Sequence, residues 1–220
     1  YKVTLLFLGT NSLQDWYINL SKNLLSYEDK NLKYFIPKGR AGFRQAVINM
    51  QNHGLRKTVY NHVKVKHNIT DKELQKNTIH LKIVGHSQGS AVALHALPYL
   101  DGVKRKTKGD YTLDNEEIDL NPHLQIDSIY LFAVPPTLSN TIEKLEQYLI
   151  PKYQRKLFSF SCPDDIITNL HFSLNSNIKT AFNIVPLKCT EEFWPWSGHR
   201  IPRYIESLEK FLLKKPLDEK

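Results

Sequence analysis

Residues 83–93 read Ile-Val-Gly-His-Ser-Gln-Gly-Ser-Ala-Val-Ala, and no other stretch constrains the fold as tightly. The run holds a G-x-S-x-G pentapeptide, Gly85 to Gly89. Upstream, Ile79, Leu81, Ile83 and Val84 predict a buried strand. Downstream, Ala91 to Leu97 predicts a small-residue helix that Pro98 stops. A serine on a turn between two such elements is lifted out of the sheet on a strained backbone, and its hydroxyl is presented to a substrate. Gly85 and Gly89 suit the flanking positions because a Cβ there would crowd the neighbouring strand or helix. The chain has nine glycines in 220 residues, so this spacing seldom arises by chance. The plainer alternative is a Gly/Ser turn between two core elements.

Around this turn, strand-like and helix-like runs alternate, which predicts an α/β fold with a mostly parallel central sheet flanked by helices. Val3 to Leu8 is strand-like, and Leu13 to Leu25 carries Leu13, Trp16, Tyr17, Leu20 and Leu24 at helical spacing. Phe43 to about Val65 predicts a longer helix with an interruption at Gly54. Asp101 to Gln125 is a charged excursion with the character of a loop insertion. Ile129 to Val134 and Leu157 to Phe160 predict further strands, the first stopped by Pro135-Pro136. Tyr204, Leu208, Phe211 and Leu212 mark one face of a C-terminal helix. No internal repeat or low-complexity linker divides the chain, so residues 1–220 are expected to form a single domain.

Hydrophobic residues make up 41% of the sequence, enough for a sizeable core, and no run approaches the length that spans a bilayer. The chain starts at Tyr1, inside an apolar strand and without an initiator Met, so a processed form or an excised domain is expected. Its net charge of +8 makes anionic surfaces plausible partners, with the densest basic cluster at Lys104-Arg105-Lys106-Thr107-Lys108. Asp110, Asp114, Glu116, Glu117 and Asp119 soon balance that cluster, as in a solvated loop. No basic helix with interleaved aromatics points to nucleic acid. Cys162 and Cys189 could bridge, but nothing in their spacing says so; they lack the C-x-x-C context of a metal site and are expected by default to be core thiols.

A serine hydroxyl becomes nucleophilic when a histidine takes its proton, and a carboxylate must fix that histidine's tautomer. In sheets with such a turn the partners follow in the order Ser, Asp or Glu, His. After Ser87, the strand ending Phe158-Ser159-Phe160-Ser161 runs into Cys162-Pro163-Asp164-Asp165, which offers two adjacent carboxylates. The acids of the 101–125 excursion have no strand to position them. Beyond this point stand His171 and His199. His171 follows too closely to return across the site. His199, in Trp196-Ser197-Gly198-His199-Arg200, leads into the last helix, where a loop can lay an imidazole over the serine. His86, His95 and His123 flank the turn or precede the acid and read as structural.

Taken in order, these segments resemble the class 3 lipases, the fungal-type triacylglycerol lipase family of the α/β-hydrolase superfamily. Phe7-Leu8-Gly9-Thr10, followed by Asp15-Trp16 and Leu20, is similar to that family's oxyanion strand and lid. Gly42-Phe43 resembles its next segment, Gly85 to Ala91 its nucleophile elbow, Asp165-Ile166-Ile167 its acid turn, and His199 with Tyr204 its terminal His and aromatic. The resemblance implies a hydrolase of carboxylic esters of lipids. Ser87 would be its nucleophile, Asp165 its acid and His199 its base, with Thr10 and the backbone N–H of Gln88 as oxyanion hole. It implies no metal and no cofactor. Leu13 to Leu25 would then be a lid, although the same stripe also fits a plain helix packed on the sheet. Transfer of the acyl group to another acceptor, and a silent module that binds lipid or protein, are the alternative functions on this fold.

Overall fold

Apolar runs at five places in the chain pair into one sheet. The computed structural model describes residues 1–9, 41–101, 124–135, 152–163, 165, 183–188 and 200–214. Among these, the strands are β1 (Lys2–Phe7), β2 (Ile79–His86), β3 (Leu124–Phe132), β4 (Leu157–Ser161) and β5 (Asn183–Pro186). They lie in chain order, β1-β2-β3-β4-β5, and every pair is parallel. Parallel neighbours require a crossover. Between β1 and β2 come helices α1 (Ala41–Asn52), α2 (Leu55–His67) and α3 (Asp71–Gln75). Helix α4 (Gln88–Leu100) follows β2, and α5 (Ile201–Lys214) follows β5.

Side chains alternate across the sheet, and each face has its own core. One face carries Phe7, Ile79, Leu81, Ile83, Ile129, Leu131 and Leu157, packed against Phe43 and Val47 of α1, Val59, Tyr60 and Val63 of α2, and Ala93, Leu94 and Leu97 of α4. The other face carries Tyr130, Phe132, Phe158 and Phe160, on which α5 lays Tyr204, Leu208 and Phe211. Phe132 and Phe160 stack with ring centroids 4.8 Å apart and a 13° tilt. This arrangement is the α/β fold expected from the alternating runs.

The interruption expected at Gly54 is present, and it divides the stretch into two helices, because Gly54 turns left-handed (φ 70°) and serves as the N-cap of α2. Other expectations are corrected in detail. Pro98 does not stop α4, which continues to Leu100. A proline removes one N–H donor from the ladder, but the Asp101 N–H still reaches the Leu97 carbonyl at 3.0 Å, and Leu97 and Leu100 are fully buried. Strand β3 begins at Leu124, so Gln125 belongs to the sheet rather than to the excursion. Strand β5, four residues ending in a proline, gave no period of its own. On α5 the buried arc is Arg203, Tyr204 and Ser207 with half-buried Leu208 and Phe211. Leu212, expected on that face, is 59% exposed, as is Ile205 at 53%. Three of the four residues expected on that face, Tyr204, Leu208 and Phe211, do pack on the sheet, with Arg203 and Ser207 buried beside them. The run Leu13 to Leu25 lies outside the described residues.

Candidate active site

All five strands are parallel, so their C-terminal ends converge on one edge of the sheet, where ligands of open α/β sheets bind. Ser87 stands there, between the last residue of β2 and the first of α4, with φ 55° and ψ −128°. A non-glycine residue in that region is strained by about 1–3 kcal/mol and persists only where its surroundings impose it. The surroundings are visible. The Ser87 N–H donates to the Phe132 carbonyl at 2.9 Å, and the Ser90 hydroxyl donates to the same oxygen at 2.8 Å, fixing the turn to the end of β3. The Ser87 carbonyl accepts from the N–H of Ser90 and starts the helix.

The two flanking glycines are required by contact. A Cβ on Gly85 would come within 2.7 Å of the Ser90 Cα, and one on Gly89 would overlap the Phe7 carbonyl. Gly9 is also close, since a Cβ there would meet the His86 carbonyl and the Ser87 Cβ at 3.0 Å. The end of β1 therefore runs against the turn. The backbone N–H groups of a helix's first turn have no intrahelical acceptor, and that of Gln88 is the first in α4. Thr10 lies outside the described residues. Ser87 itself is 3% exposed.

Asp165 is fully buried beyond the end of β4. Its N–H donates to the Cys162 carbonyl at 3.0 Å, closing the turn. Its Oδ2 accepts the Tyr204 hydroxyl at 2.7 Å, and that hydroxyl in turn accepts the Cys162 N–H at 3.2 Å. The Tyr204 ring meets Phe132 edge-on at 6.1 Å and His86 edge-on at 6.0 Å. One side chain of α5 thus touches both the acid turn and the residue preceding Ser87. The neighbouring Asp164, His199, His171 and His123 lie outside the described residues. His86 is half-buried and His95 is buried within α4.

Two features were not legible in the sequence. Ala133, just past β3, also has a left-handed backbone (φ 53°) and is fully buried, with its N–H on the Phe160 carbonyl at 3.1 Å. No local signal marks an alanine for that conformation. The expectation of core thiols is corrected as well, because Cys162 is disulfide-bonded. The sequence contains one other cysteine, Cys189, outside the described residues. Spacing alone does not say which thiols a fold brings within bonding distance. Among the described residues no group of three His, Cys, Asp or Glu could hold a metal ion, and no helix is long and apolar enough to cross a membrane.

A parallel sheet with a strained serine between β2 and α4, and a buried carboxylate after β4, belongs to the α/β-hydrolase class. The family model for lipase (class 3) matches residues 4–175, more than three quarters of the sequence, and the chain belongs to that family. The match includes Ser87 and Asp165; His199 and Tyr204 follow it. Curated proteins yield no match to this chain. Membership supports a lipase-type hydrolase acting on lipid or other ester substrates.

Proposed function

We propose that residues 1–220 act as one serine hydrolase domain that cleaves carboxylic esters of lipids, with Ser87 as nucleophile, His199 as base and Asp165 as the acid. The observation that carries this reading is the strained Ser87 backbone (φ 55°), on the strand-to-helix turn where α/β-hydrolases place their nucleophile. The Ser87 Oγ attacks the ester carbonyl while the His199 imidazole takes its proton. Negative charge then collects on the carbonyl oxygen, where the backbone N–H of Gln88 and Thr10 stabilise it. Collapse expels the alcohol, protonated by His199, and leaves an acyl-enzyme. Water, activated by the same imidazole, releases the acid. Asp165 holds the second ring nitrogen of His199 as an N–H donor and supports the imidazolium.

The test is labelling with a fluorophosphonate, which reacts with an activated serine. The chain is expected to label at one site, and Ser87→Ala is expected to abolish labelling and lower turnover of p-nitrophenyl esters by at least about a thousandfold. Labelling that survives in Ser87→Ala would refute the assignment. Esters of graded acyl length then separate a lipase from a short-chain esterase.

A further inference from the structure

We propose that the disulfide of Cys162 runs to Cys189 and is a positioning bond for catalysis, holding the acid turn in register with the segment that carries the base. The inference rests on the assignment of Asp165 and His199 made above.

Cys162 is fully buried, one residue past β4 and three before Asp165. Both of its backbone groups are committed to the acid turn. Its carbonyl receives the Asp165 N–H at 3.0 Å, and its N–H donates to the Tyr204 hydroxyl that holds Asp165 Oδ2. A displacement of Cys162 would therefore be felt directly by the carboxylate. Among the described residues no cysteine is free, Cys162 is disulfide-bonded, and the sequence holds two cysteines in all, so Cys189 is the one intramolecular partner the sequence offers. The β4–β5 ladder pairs the chain next to Cys162 with residues shortly before Cys189 in the sequence. Ser161 is paired with Pro186, and the Leu187 N–H donates to the Ser161 carbonyl at 2.9 Å. Cys189 follows two residues later and precedes His199 by ten. The bond thus ties the acid turn to the connection that leads to the base. Misplacement of a catalytic group by about 1 Å can cost about a hundredfold in rate, so a covalent tie at this point has a catalytic consequence. The core that packs α1, α2 and α4 on one sheet face does not include Cys162, whereas Cys162 sits in the core beneath α5 with Ala133, Phe160, Leu187 and Tyr204.

Reduction is a two-electron exchange. A dithiol such as dithiothreitol gives up two electrons and two protons, the S–S bond becomes two thiols, and the reductant closes to its own disulfide. Glutathione disulfide reverses the step.

The experiment uses the whole chain. Non-reducing peptide mapping is expected to find Cys162 linked to Cys189 within one molecule. On reduction, kcat for a p-nitrophenyl ester is expected to fall about ten- to a hundredfold with KM changed less than about threefold, and reoxidation to restore it. The Cys162→Ala/Cys189→Ala double variant should show the same low kcat, indifferent to dithiothreitol, with an unchanged far-UV circular dichroism spectrum. Free thiols or an intermolecular link would overturn the connectivity. Unchanged kcat after verified reduction, or loss of kcat together with loss of the dichroism spectrum, would overturn the positioning role. If the oxidised chain shows no Ser87-dependent labelling, the functional assignment itself fails and this inference with it. Labelling that persists at an equal rate after reduction sinks the inference alone.

Discussion

Gly89 has no room for a single added carbon, because the Phe7 carbonyl already occupies the place of its Cβ. That contact explains why the end of β1 and the start of α4 can meet beside Ser87. The same economy of space governs the acid. Asp165 is fully buried, and the Tyr204 hydroxyl is shared between its carboxyl and the Cys162 N–H. Tyr204→Phe removes a donor from one buried group and an acceptor from another while keeping the ring on Phe132 and His86. Loss of such a bond costs about 1–3 kcal/mol, so urea unfolding is expected to show a destabilisation of that size. A drop in kcat with little change in KM is expected beside it. A variant as stable and as active as the parent would show that Tyr204 only fills space.

Among the elements, α3 shows how few residues can specify a helix when its ends are satisfied. It is five residues long and opens with a capping box, in which the Thr70 hydroxyl accepts the Glu73 N–H and the Glu73 carboxylate accepts the Thr70 N–H at 2.7 Å. The backbone bond to Thr70, followed by the Thr70 hydroxyl, holds the Glu73 carboxyl below the usual carboxylate range. A depressed folded value means that the stabilisation is present above the ordinary pKa and is lost as pH falls through the folded one. Glu73→Gln is therefore expected to destabilise the chain slightly at pH 7, with the difference from the parent shrinking in acid. Unfolding curves at neutral and acidic pH measure this directly, and a difference that grows in acid would contradict it. Helix α5 makes the complementary point. Its sequence predicts an apolar stripe that includes Leu212, whereas the docked helix buries Arg203 and Ser207 and leaves Leu212 out. Periodicity finds the helix; the shape of the aromatic surface beneath it sets its rotation.

At the scale of the whole molecule, the sheet is directional. Parallel strands bring Ser87 after β2, Ala133 after β3 and Asp165 after β4 to one edge. The chain carries a formal net charge of +8 and belongs to a lipase family. Anionic interfaces are accordingly expected to be preferred over dispersed neutral esters, with attraction of about 1 kcal/mol for each Lys or Arg near the surface. Hydrolysis of vesicles with anionic lipid should exceed that of neutral vesicles at low salt, and the advantage should shrink as ionic strength rises. Rates indifferent to both variables would rule out an electrostatic contribution and leave the Ser87 assignment untouched.

What the sequence determined by itself is local in origin. The elbow is written in eleven consecutive residues, because a strand, a tight turn and a helix each leave a short-range pattern. The alternation of runs likewise dictated a parallel α/β sheet, since connections of that length and pattern leave few other solutions. Tertiary structure decided what depends on residues far apart in the chain. Tyr204 reaches Asp165 across 39 positions, and Cys162 is bonded although its spacing from Cys189 carries no signature. Ala133 is held left-handed by a bond to Phe160, and β5 is a strand because β4 offers it a free edge. In each case the deciding energy comes from a partner that enters reach when the sheet closes, and a pattern of neighbours along the chain does not encode it.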